Sequence, residues 1–79
     1  MIDLLTACNI ALKLMPGYRV CSASELEDGF LFSFCTPEGE EPDLDPMLIS
    51  KETGEVIAYD YAERFEEIFY ADPLDLTKI

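Results

Sequence analysis

Asp28-Gly29-Phe30-Leu31-Phe32-Ser33-Phe34-Cys35 is the stretch whose reading decides the fold. In a pleated strand successive side chains point to opposite faces, so every second residue shares a face. Phe30, Phe32 and Phe34 therefore line one face, and Leu31, Ser33 and Cys35 the other. Phenylalanines at period two mark a core-facing strand far more often than a stacking platform for bases. Asp28-Gly29, just before it, is turn chemistry that closes the segment Glu25–Gly29. Upstream of that turn, residues 18–24 (YRVCSAS) alternate as a partner strand.

Working outward, residues 36–46 (TPEGEEPDLDP) hold three prolines, one glycine and five acids, which no regular element accommodates. Residues 47–50 read as a short strand, Lys51-Glu52-Thr53-Gly54 as a tight turn, and residues 55–59 as a returning strand. On the N-terminal side, Leu4 or Leu5, Cys8, Ala11 or Leu12, and Met15 recur at helical spacing over residues 2–15. Pro16-Gly17 ends that helix. Asp60 is placed to cap a second helix, Tyr61 to about Tyr70, with Glu63 completing a capping-box-like pair. Ala62, Phe65, and Ile68 or Phe69 form its expected buried face, and Leu74, Leu76 and Ile79 a short apolar tail.

The pattern predicts one α+β domain over residues 1–79. An N-terminal helix packs on a four-stranded antiparallel sheet, a meander, with a short C-terminal helix after it. If the phenylalanine face meets the first helix, Leu31 and Cys35, with Leu48, Ile57 and Tyr59, populate the other face. That face then needs a cover: the second helix, a partner, or a second copy.

Seventy-nine residues allow a single small core, and 49% hydrophobic content with five Phe and four Tyr argues against disorder. Seventeen acidic against five basic residues give a net charge of −12. Such a surface repels nucleic acid and anionic lipid, keeps the protein in solution, and attracts basic proteins. Acidity also suits a nucleic-acid mimic, although charge alone argues little for one. Cys8, Cys21 and Cys35 are odd in number and lack CxxC spacing, the pattern of reduced core thiols rather than a disulfide framework. The apolar N-terminus carries Asp3 and Lys13 and no basic leader, unlike a signal peptide. No run of apolar residues reaches the length of a membrane span. The expectation is a cytoplasmic protein.

Histidine is absent, which removes imidazole-based nucleophile activation and histidine-ligated metals. Three dispersed cysteines make a poor zinc site. Paired-carboxylate chemistry requires a cleft that so small a domain hardly provides, and the four glycines are isolated turn residues. The reading is of a non-enzyme without cofactor or metal. Its binding candidates are the acidic loop residues Glu38, Glu40, Glu41, Asp43 and Asp45, with Tyr59 and Tyr61 from the aromatic and acidic stretch beyond. Pro42 and Pro46 disrupt the geometry a calcium loop needs, so this loop reads as a solvated segment or as one that engages a basic protein.

The runs DGFLFSF (28–34) and PMLISKETGEV (46–56) resemble a family of small bacterial immunity proteins that neutralise polymorphic toxins. The likeness spans residues 18–59: an acidic-Gly turn, an aromatic-x-Phe strand and a Lys-x-Thr-Gly-x-Val hairpin. It implies a helix-plus-antiparallel-sheet fold and occlusion of a toxin, and it transfers no site residue. Phe30 stands where that family usually has Trp. The alternative function is a structural one, a homodimer through the second sheet face, with acidity serving only solubility.

Overall fold

The computed structural model describes residues 1–40, 42 and 44–75. Along the chain lie α1 (Leu4–Leu14), β1 (Arg19–Glu25), β2 (Gly29–Cys35), β3 (Met47–Ser50), α2 (Phe65–Phe69) and β4 (Asp72–Pro73). The four strands form one antiparallel sheet in the order β3-β2-β1-β4. The expected α+β class is the observed one, with helix α1 on the sheet.

Helix α1 begins at Leu4, two residues later than the sequence reading placed it, because Asp3 caps it. The Asp3 carboxylate accepts a hydrogen bond from the Thr6 amide at 2.8 Å, satisfying one of the orphan donors of the first turn. Hydrogen bonding from Thr6, its side chain first and its amide second, holds the Asp3 carboxyl below its usual value of 3.8. Ala7, Cys8 and Ala11 face inward, while Leu5, Leu12 and Leu14 remain exposed. The small inner residues let α1 lie close to the phenylalanines: Ala7, Cys8, Ala11, Ala23, Phe30, Phe32, Phe34 and Ile49 make one buried cluster.

The other face of β2 carries a second, smaller cluster of Leu26, Leu31 and Leu48. Ile57, Tyr59, Ile68 and Ala71 pack against it. The chain itself thus supplies the cover that the sequence left open. β2 is buried on both faces along nearly its whole length, and truncating a residue such as the fully buried Phe32 to Ala should cost about 3–5 kcal/mol.

Two parts of the sheet differ from the sequence reading. Residues 55–59 do not form a full strand; they meet β3 through a single bridge, Ile49 to Val56. The fourth strand is Asp72–Pro73 instead, on the far edge against Ser24 and Glu25. After the bridge the chain leaves the ladder because Ile57 and Tyr59 turn onto the Leu31–Leu48 face. The expected apolar tail residues Leu76 and Ile79 lie outside the described residues; Leu74 packs on the main cluster.

The cysteines also correct the sequence reading. Cys21 and Cys35 are joined as a disulfide, and only Cys8 is a free, buried thiol, whose pKa burial pushes up. The cause is a register shift. Val20 opposes Phe34 but Ser22 opposes Ser33, so Cys21 is the extra residue of a bulge. The bulge brings its Cα to 5.7 Å from that of Cys35, within the usual disulfide range. Spacing in the sequence gives no sign of such a shift.

Gly54 turns the 51–54 segment with φ of +78°, a conformation that L side chains rarely adopt. Gly29 is required for a different reason: a Cβ there would sit 2.3 Å from the Ile49 carbonyl oxygen on β3. Gly29→Ala should therefore push β2 from β3 and lower unfolding free energy by about 1–3 kcal/mol in urea titration. Alkylation of the denatured, unreduced protein should label one cysteine, Cys8, and three after reduction, as read by intact mass.

Candidate functional site

The acidic loop is open to solvent where it is described. Glu38 and Glu40 are exposed on the turn that follows β2, which is closed by Gly39 and Thr36: the Thr36 amide donates to Glu40 O and the Gly39 amide to Thr36 O, both at 2.8 Å. Glu41 and Asp43 lie outside the described residues. Asp45 is exposed and lines a shallow concavity of about 220 Å³ together with Ser22, Ser33, Phe34, Pro42, Leu44 and Pro46. Among the described residues no group of three or more acids or cysteines is placed to hold a metal ion.

Tyr59 and Tyr61 separate in role. Tyr59 is half-buried against the Leu31–Leu48 cluster, and its hydroxyl donates to the Pro46 carbonyl. Burial first, then the negative charge of Asp45, pushes its pKa up to about 12. The side chain ties the residue 46 end of the loop to the segment that covers the sheet, a structural task that leaves little of it for a partner. Tyr61 is only partly covered and stands edge-on to Phe65, with ring centroids 6.1 Å apart.

The larger departure is in the second helix. Asp60 caps as expected, but what it caps is a turn: its carboxylate accepts from the Ala62 amide at 2.9 Å, and its carbonyl from the Arg64 amide. The regular helix is only Phe65–Phe69. Of its expected buried face, Ile68 alone packs inward. Phe65 is 50% exposed, Phe69 69% and Tyr70 78%. Burying Phe65 and Phe69 would require a rotation that Ile68 and Ala71 do not allow while they hold the Leu31–Leu48 cluster.

The exposed rings are ordered among themselves. Phe65 and Phe69 stack with centroids 6.0 Å apart, and Phe69 meets Tyr70 edge-on at 5.1 Å. On a helix, residues four apart are neighbours, so Phe65 and Phe69 make one stripe, with Glu66 and Tyr70 beside it. These four residues line an open concavity of about 360 Å³.

One ion cluster fixes the orientation of this surface. Arg64 donates to both oxygens of Asp28, at 2.9 and 3.2 Å, and to both oxygens of Glu67, at 2.6 and 3.0 Å. It thereby ties the start of α2 to the β1–β2 turn. Next to it, Lys51 pairs with Glu25 at 2.7 Å and lies over the Phe30 ring. Both cations nearest the turn are therefore already engaged. Glu63 and Glu66 have no ion-pair partner among the described residues.

The surface proposed for a homodimer is already occupied: Leu31 and Leu48 are buried within one chain. No helix among the described residues is long and apolar enough to cross a membrane. Comparison with known proteins gave no matching family model, no matching curated protein and no matching solved structure.

The Asp28 carboxyl is held below its usual value of 3.8, chiefly by its hydrogen bonds to Arg64. A depressed folded-state pKa gives stability that is complete above the unfolded value and is lost as pH falls through the folded one. Urea midpoints should accordingly drop as pH is lowered below about 3.8, and Asp28→Asn should be less stable at neutral pH while losing less on acidification.

Proposed function

We propose that this chain is a small acidic protein-binding module whose contact surface is the outer face of α2, with the 36–46 loop as an electrostatic guide. The observation that carries this reading is the exposure of Phe65, Phe69 and Tyr70 side by side on a helix held in place by Arg64. Aromatic side chains supply large contact area with few rotatable bonds and dominate the energetic centres of interfaces. Acids around them add selectivity through charge, and a net charge of −12 favours a basic partner.

The loop acids Glu38, Glu40, Glu41, Asp43 and Asp45 contribute in this reading through their field rather than through fixed contacts. Their effect belongs to encounter, within roughly 8 Å of the surface at physiological salt. Tyr61, edge-on to Phe65, extends the aromatic face.

In its narrower form the reading is of a bacterial immunity protein that blocks a basic toxin by covering its surface. What supports that form is the resemblance of residues 28–34 and 46–56. The working compartment in this reading is the cytoplasm. No nucleic-acid or membrane partner is implied, since the surface charge opposes both.

The homodimer reading finds less support. Two copies of net charge −12 repel each other on approach, and the sheet face it would use is covered.

The test is association with the protein partner captured from the source cells and then identified and purified. Truncating Phe69 and Tyr70 together to Ala should weaken binding by roughly thirtyfold or more, the scale of a hot-spot loss. Replacing Glu38, Glu40, Glu41, Asp43 and Asp45 with their amides should slow association about tenfold and leave dissociation nearly unchanged. Unaltered affinity in the aromatic variant would sink the surface assignment, and an unaltered on-rate in the amide variant would remove the loop from it.

A further inference from the structure

We infer that the concavity lined by Phe65, Glu66, Phe69 and Tyr70 is a seat for an arginine side chain presented by the partner; this rests on the docking role of α2 proposed above and names the chemistry it selects. The planes of Phe65 and Phe69 lie 27° apart, whereas that of Tyr70 stands at 86° to Phe69. The rings thus form a corner rather than a flat apolar sheet. Phe69 and Tyr70 are nonetheless largely exposed, and an open π face carries negative potential, which favours a cation over an aliphatic group.

Glu66 supplies the second element. It is the one charged residue lining the concavity, is exposed, and has no ion-pair partner among the described residues. A cation placed against Phe69 and Tyr70 would therefore meet a carboxylate at the same site. Among the described residues no cation lines the seat. Arg64, the nearest in sequence, has its guanidinium shared between Asp28 and Glu67, which raises its pKa further and fixes it as a latch. Lys51 is bound to Glu25.

Arginine fits this arrangement better than lysine. Its planar guanidinium can stack on a ring while its N–H fork meets a carboxylate edge-on, two contacts that a compact ammonium cannot make together. The concavity, about 360 Å³ and open to solvent, admits a side chain entering from above. The acidic balance of the molecule supplies the complementary long-range attraction.

The experiment uses N-acetyl-arginine amide as the probe and N-acetyl-citrulline amide as its uncharged equivalent of the same shape. Each is titrated into the isotopically labelled full chain while the ring resonances of Phe65, Phe69 and Tyr70 are followed by NMR. The arginine compound should shift these resonances in a saturable way, and the citrulline compound should bind at least several-fold more weakly. Glu66→Gln should weaken the arginine response about three- to tenfold, and Phe69→Ala should abolish it. Both positions are exposed, and unchanged amide spectra over β1–β3 would show that each variant is folded.

Equal responses to the two probes would overturn the inference in favour of an apolar surface. Absence of any ring shift, or shifts confined to residues 36–46, would overturn it as well. Ring shifts produced by raising protein concentration alone would assign the surface to a second copy instead. The two levels of the proposal separate cleanly. If Phe69→Ala weakens partner association while the rings show no preference for arginine, the docking face stands without its arginine seat. If Phe69→Ala leaves partner association intact, the docking face itself is lost.

Discussion

A single strand that is apolar on both sides governs this molecule. β2 sends Phe30, Phe32 and Phe34 to one face and Leu31 to the other, and all four are buried. Each face of the sheet consequently needs cover, and the described residues supply it on both. Helix α1 does this on the phenylalanine side with alanines and a cysteine, a choice of small residues that permits close approach. On the opposite side Ile57, Tyr59, Ile68 and Ala71 do the same work from a largely irregular segment. The course of residues 57–71 follows from that second requirement: the chain abandons the hairpin after one bridge because its apolar residues are needed across the sheet rather than beside it.

The exposed aromatic surface is a by-product of the same constraint. A helix as short as α2 offers one side to the sheet, and Ile68 is the residue that goes there. Phe65 and Phe69, three positions before and one after it, are then directed elsewhere by helical geometry. The Arg64 latch to Asp28 and Glu67 holds that orientation through charge-assisted hydrogen bonds, which are geometrically more restrictive than apolar packing. Exposed aromatic rings in a single patch would be a liability for a neutral protein of this size. Here a charge of −12 opposes self-association, so the rings can stay uncovered in solution.

The sequence reveals the parts whose physics is local. The period-two run of β2, the body of α1 with its Pro16-Gly17 end, and the strand at residues 47–50 all depend on near neighbours, and all are found within a residue or two of their expected positions. The remainder depends on partners that are distant along the chain. A bulge at Cys21 is set by how two strands fit together, and it alone makes the Cys21–Cys35 pair geometrically available. The pairing of Asp72–Pro73 with β1 has no alternation to betray it, being two residues long and containing a proline. The binding candidates divide in the same way. Exposure of Glu38, Glu40 and Asp45 could be read from a Pro-rich acidic run, whereas the inward turn of Tyr59 depends on Pro46 accepting its hydroxyl.

Phe65 and Phe69 make the most instructive case. Their spacing with Ala62 and Ile68 describes an amphipathic helix well, and by that criterion they belong in the core. The pattern cannot tell which of two adjacent stripes a five-residue helix will bury, because Ile68 and Ala71 offer an equally regular alternative. The choice is decided by fit: branched Ile68 and small Ala71 sit on a shallow cluster of three leucines, where two phenylalanine rings would stand too tall. Once that selection is made, the aromatic stripe must face outward, with Glu66 beside it and Arg64 committed elsewhere. An acidic chain thus acquires an exposed aromatic surface at a place where Arg64 is already neutralised, and this couples the packing of the smaller core to the charge that surface presents.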